Sequence, residues 1–212
     1  MTIPAALLTP TTLIVFVILA VLSLIALTVT IWKILQFSKM GVGQRASAEA
    51  ILDTWLSGRA DEAVRMASER KSVLARILQA VFSGVQARPG QPDYAEELGR
   101  QTAIIELASM TERLRLLEMV VQSAPMLGLL GTVIGMIQAF SVLAGTDGAV
   151  DPTLLAGGIW TALTTTAAGL TVALVAYFCA NWLEARVDRE RNLIEAAISA
   201  AVHGRVGPAP RG

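Results

Sequence analysis

The sequence predicts an all-α integral membrane protein. It has three transmembrane helices, N-out and C-in, and long helices extending into a cytosolic helical subdomain. Three observations carry this prediction. The 212 residues are 54% hydrophobic and only 16% charged, with a mean hydropathy of +0.58, more apolar than soluble domains usually are. The apolar residues gather in three runs without Asp, Glu, Lys, Arg or His, at 11–32, 119–146 and 152–183, each longer than the roughly 20 residues a bilayer crossing needs. Finally, all 17 Lys and Arg residues fall in 33–118 or 184–212. The positive-inside rule therefore places the N-terminus and the 146–152 turn outside, and the large loop and tail in the cytosol.

The elements follow in order. Residues 1–10 form a short periplasmic N-terminus in which Pro4 and Pro10 suit an irregular lead-in. Residues 11–33 form the first transmembrane helix. No basic segment precedes it and no small-residue cleavage site follows, so a retained helix is expected rather than a signal peptide. Residues 34–118 form a cytosolic helical region. Ten basic and eleven acidic side chains are interleaved between Met40 and Glu118, and the absence of like-charge blocks argues against nucleic acid as a partner. Apolar residues recur there at helical spacing, as in Ile51, Leu52, Trp55 and Leu56, and again in Val73, Leu74, Ile77, Leu78 and Val81. The segment RPGQPD at 88–93 interrupts the pattern, and Asp93 is expected to cap a helix beginning near Tyr94. With no stop signal after it, one helix should run on into the second span, 119–145, and bend near Pro125. A periplasmic turn at 146–152, a third span at 153–183 and a cytosolic helix and tail at 184–212 complete the plan.

The spans carry two small-residue stripes. Around a helical wheel, Gly158, Ala162, Thr165, Thr166, Gly169, Ala173, Ala176 and Ala180 share one face of the third span, opposite Trp160, Leu163, Leu174 and Phe178. Pro125, Gly128, Gly131, Thr132, Gly135 and Ala139 lie within about 120° on the second. Such stripes most often serve close helix packing, and mid-membrane hydroxyls are also candidates for lining a wet path. A threonine hydroxyl passes a proton along a hydrogen-bonded chain but does not store one near neutral pH. Proton relays in membranes are built on ionisable side chains. If this chain works in ion transport, the carboxylate must come from a partner.

Several chemistries are excluded by what is missing. The single cysteine, Cys179, lies in an apolar run and reads as a small hydrophobe, and His203 as a solvated residue. No Cys/His cluster has metal-ligand spacing, and no cofactor motif is present. GxSxG, a Walker lysine, GxGxxG after a strand and HExxH are all absent, and LGLLGTVIG has neither a strand before it nor a lysine after it. An enzyme is therefore not expected. Three classes remain: a subunit working in ion transport, a non-conducting structural membrane scaffold, and a solute-transporter subunit. Only the hydroxyls of Thr161 and Thr164–Thr166 hint at the last.

SAPMLGLLGTVIGMIQAF (123–140) and LAGGIWTALTTTAAGLTVALVAYFCAN (155–181) resemble the MotA/TolQ/ExbB proton channel family, most closely its ExbB/TolQ branch. The three-span plan, the cytosolic loop and the chain length also fit that branch. The resemblance implies a multi-pass subunit of the bacterial inner membrane that assembles as a homo-oligomer, typically a pentameric ring. Such a ring surrounds the single-span helices of an ExbD/TolR-like partner, which supplies the membrane aspartate. A TonB- or TolA-like protein passes the resulting movement to a periplasmic or outer-membrane client. It further implies that Thr132 and Thr166 line the pore, with Thr165 and Thr161 as further candidates on the ion path. Pro125, Gly128, Gly131, Gly135, Gly158, Ala162, Gly169 and Ala173 then serve helix packing. Two departures stand out: relatives often carry a glutamate where this chain has Thr161, and a proline where it has Val175.

Overall fold

The computed structural model describes residues 10–144 and 152–204. Among them the chain forms seven helices and no strand: α1 (Pro10–Lys39), α2 (Arg45–Leu56), α3 (Ala60–Ser68), α4 (Val73–Ala87), α5 (Pro92–Thr111), α6 (Leu114–Ala144) and α7 (Pro152–His203). Three helical stretches among the described residues are long and apolar enough to cross a membrane. Residues 1–9 of the expected N-terminal lead-in, the 146–152 turn up to Asp151 and the tail from Arg205 lie outside the described residues, whereas Pro10, expected in the lead-in, begins α1. The chain divides into two compact units. One, called here the apolar unit, comprises Met1–Ile31 and Arg113–Trp182; the other, the polar unit, comprises Trp32–Glu112 and Leu183–Gly212.

In the apolar unit, Val15 and Leu19 of α1 meet Ala124 of α6 and Ala173 of α7. Leu22, Leu127, Ala168 and Val172 pack around them. Trp160, Leu163, Leu174 and Phe178 are each more than half exposed. So large an apolar surface suits hydrocarbon and not water. Bulky side chains face outward and small ones inward because helices in lipid gain little from burying more apolar area and associate through close packing.

The polar unit has an ordinary water-soluble core. Ile51, Leu52, Val73, Leu74, Ile77, Leu78, Val81 and Phe82 are buried, whereas Leu56 remains exposed. Ser72 caps α4 by accepting the Ala75 N–H at 3.3 Å. Trp55 stacks on Phe82 with centroids 4.1 Å apart, and its Nε1 donates to the Ala201 carbonyl at 3.0 Å. Gly84 lets α4 and α5 approach closely, since a Cβ there would lie 2.7 Å from Ala95 Cα.

Two expectations are corrected. The segment from Asp93 into the second span is not one helix. It breaks at Glu112 and Arg113, where Arg113 takes a left-handed φ of 68°, and α6 then runs through Pro125 without interruption. The cause lies in the carbonyls that a continuing helix would use. Lys33 Nζ donates to Ser109 O at 3.3 Å and Met110 O at 2.9 Å, and Gln36 Nε2 donates to Ser109 O at 3.1 Å. Side chains of α1 thus satisfy the acceptors that the next turn's amides would otherwise take, with the cation at the negative end of the helix dipole. Asp93 is also not the cap of α5. The helix starts two residues earlier than Tyr94, with Pro92 in its first turn and Gln91 at the cap position without a side-chain bond. Proline's fixed φ and missing N–H suit that place, and Asp93 sits in the first turn, complementing the positive end of the dipole.

Candidate functional site

Helices α6 and α7 pass each other in antiparallel register along a seam of small residues. A Cβ added to Gly169 would lie 2.5 Å from Ala124 O and 3.0 Å from Gly128 Cα. One added to Gly131 would lie 2.6 Å from Thr165 Oγ1, and one on Gly135 3.1 Å from Ala162 Cβ. At the far end, a Cβ on Gly158 would meet Ala139 Cβ at 2.6 Å. Approach this close requires glycine on one side of nearly every step. Ala173 is buried where α1 joins the seam. Pro125 lies half-buried on α6 beside it.

Each threonine hydroxyl on the seam finds a backbone carbonyl, as a hydroxyl away from water must. Thr165 is 0% exposed, and its Oγ1 donates to Ala162 O at 2.7 Å with Gly128 O at 3.4 Å. Thr166 Oγ1 reaches across to Gly128 O at 3.1 Å. Thr132 donates within its own helix to Leu129 O at 2.6 Å, and Thr161 to Gly157 O at 3.0 Å. Thr132, Thr161 and Thr166 are half-buried, so their oxygens lie at the edge of the seam while Thr165 lies inside it. Gly128 O, shared by Thr165 and Thr166, is the point where the two stripes are tied. Val175 is 60% exposed, away from the seam. No group of acidic, histidine or cysteine side chains among the described residues could hold a metal ion.

Sequence reasoning missed two residues. Lys33, expected only to end the first span, is wholly buried and caps α5. Glu190, not singled out from the sequence, is buried as well. A signal for Glu190 was present: the buried positions of α7 continue from Ala180 through Leu183, Val187, Glu190, Ile194, Ile198 and Ala201 at three- and four-residue spacing, so the acid falls on the apolar stripe.

Residues 69–196 match the model of the MotA/TolQ/ExbB proton channel family. A protein described as a biopolymer transport protein ExbB homolog, from Methanothermobacter thermautotrophicus, is 34% identical over 147 residues, 69% of this chain and 50% of its own length. Biopolymer transport protein exbB1 of Vibrio cholerae is 44% identical over 82 residues, 39% of this chain and 36% of that protein. An ExbB-like protein of Synechocystis is 32% identical over 160 residues, 74% of this chain and 62% of its own. The chain thus spans about half the length of the first of these relatives and little more than a third of the second.

Proposed function

The chain belongs to the MotA/TolQ/ExbB proton channel family, and from that premise we propose that it is the ring-forming subunit of an ion-driven motor in a bacterial inner membrane. In this reading the N-terminus is periplasmic, the polar unit is cytosolic, and the subunit catalyses no reaction. The ring, a pentamer in the family pattern, encloses single-span helices of an ExbD/TolR-like partner. Ion flow moves those helices, and a TonB- or TolA-like protein carries the movement to an envelope client for transport. The names of the relatives, biopolymer transport proteins, agree with that role.

One observation carries the reading. The α6–α7 seam sets hydroxyls of Thr132, Thr161 and Thr166 at its edge, while the spans 11–32, 119–146 and 152–183 contain no Asp, Glu, Lys, Arg or His. Such a surface offers hydrogen bonds to water yet stores no charge, so it is half of a proton path whose titrating group belongs to another chain. The driving force is adequate. One charge crossing about 150 mV releases roughly 3.5 kcal/mol, enough to shift a two-state equilibrium by a few hundredfold.

A non-conducting scaffold is the competing reading, and Thr165 favours it, because its hydroxyl is wholly occupied inside the seam. Reconstitution into liposomes separates the two. The chain together with a single-span partner bearing a membrane aspartate should conduct protons under an imposed potential. Thr166→Val and Thr132→Val should each abolish that flux while the ring stays intact by native mass spectrometry. Unchanged flux in both variants would show that these threonines only pack, and absence of flux from the complete complex would favour the scaffold.

A further inference from the structure

The buried stripe of α7 has one charged member in the polar unit. Leu183, Val187, Ile194, Ile198 and Ala201 are each no more than 6% exposed, and Glu190, among them, is 1% exposed. Its Oε2 accepts the Gly43 N–H at 2.9 Å, while its Oε1 is buried without a hydrogen-bond partner. An ionised carboxylate has about four acceptor sites, and leaving half of it without donors out of water is costly. A leucine would fill the same space with no such cost, so packing alone does not account for an acid at this position.

We propose that Glu190 is a proton-binding site of the polar unit, and that its occupancy sets how firmly α7 holds the glycine turn between α1 and α2. A proton on Oε1 removes the charge and leaves Oε2 as the acceptor for Gly43, so the bond survives while the uncompensated charge is gone. The turn gripped in this way is unusual backbone, with Gly41 at φ 64° and Gly43 at φ 90°, and it contributes an amide but no charged side chain. The charged groups facing the carboxyl are Arg45, at the start of α2, and Arg186, one turn earlier on α7. Burial raises the Glu190 pKa above its ordinary value, and the Gly43 amide, Arg45 and Arg186 offset only part of that rise. With a folded-state pKa above the unfolded one, the stabilisation is complete at low pH and is lost as pH rises through the raised value. The Gly43 bond by itself is stronger to the carboxylate, but burial outweighs it. Protonation therefore favours the state in which α7 holds the turn with Glu190 buried, and ionisation favours its release. The site lies outside the spans and stands whether or not the chain conducts ions.

Hydrogen exchange of the full-length chain in nanodiscs tests this, with protection of the segment containing Gly43 compared between the two ends of a pH series that starts near the ordinary glutamate value of 4.5 and rises above it, after correction for intrinsic exchange. Wild-type protection should rise severalfold at the lower pH. Glu190→Gln, which keeps the acceptor and lacks the charge, should show that higher protection at both. Arg45→Gln, by removing a cation that favours the ionised form, should move the wild-type midpoint to higher pH. Protection independent of pH in the wild type, or a wild-type pH profile retained in Glu190→Gln, would overturn the proposal. If Glu190→Gln does not fold, the Arg45→Gln midpoint decides alone: an upward shift supports the site, and an unmoved midpoint refutes it.

Discussion

Glycines in this chain are required for two different physical reasons, and substitutions distinguish them. At Gly169 the obstacle is space, because a Cβ would strike Ala124 O and the Gly128 backbone, neither of which can rotate aside. Gly169→Ala should therefore cost about 1–3 kcal/mol through overpacking and push α6 from α7, read as a lower unfolding midpoint in detergent. At Gly90 nothing lies within 4 Å, but φ is +87°. Gly90→Ala should cost about 1–2 kcal/mol through backbone strain alone, leaving proton flux unaltered. Thr161 is half-buried at the edge of the seam. Thr161→Glu should keep assembly and give the flux a new pH dependence; a profile identical to wild type would remove this position from the ion path.

Among the helices, side-chain bonds to carbonyls decide where elements stop and what they hold. Lys33 satisfies Ser109 and Met110 at the end of α5. Lys33→Met would leave Met110 O buried without its donor, at a cost of about 1–3 kcal/mol. Faster amide exchange in the last turn of α5 is the expected readout, and unchanged exchange there would show that Gln36 alone suffices. Trp55 joins α2 to the C-terminal turn of α7 in the same manner. Trp55→Phe keeps an aromatic ring for stacking on Phe82 and deletes the indole N–H, so the loss should be about 1 kcal/mol. Trp55→Ala should lose more, because it also removes the stack on Phe82.

For the whole molecule, the distribution of ionisable groups sets the limits of its activity. With no Asp, Glu, Lys, Arg or His in its spans, the chain reconstituted alone should leave a pH gradient across liposomes intact. Dissipation should appear only when a partner with a membrane carboxylate is added and should vanish when that carboxylate becomes an amide. Dissipation by the chain alone would sink the view that the titrating group is borrowed.

Much of this protein was legible in one dimension. Uncharged runs longer than a bilayer crossing, and a 3.6-residue period of small against bulky side chains, depend only on local composition. The three apolar helices, the seam faces of α6 and α7 and the outward Trp160, Leu163, Leu174 and Phe178 were therefore predictable. The RPGQPD break and the continuation of α7 to His203 were predictable for the same reason. The end of α5 was not, because its acceptors are satisfied by Lys33 and Gln36, more than seventy residues earlier in sequence. Nor was the burial of Thr165 rather than Thr166, which differ by a single step along the helix and are separated only by where the neighbouring backbone lies. Glu190 falls on the apolar period, yet its charge argued for solvent, and only the packing of the polar unit around α7 decided between the two. Sequence fixes what each helix can present, through composition and period; tertiary contact alone decides which polar atoms lose their water, because that depends on chain segments distant in sequence.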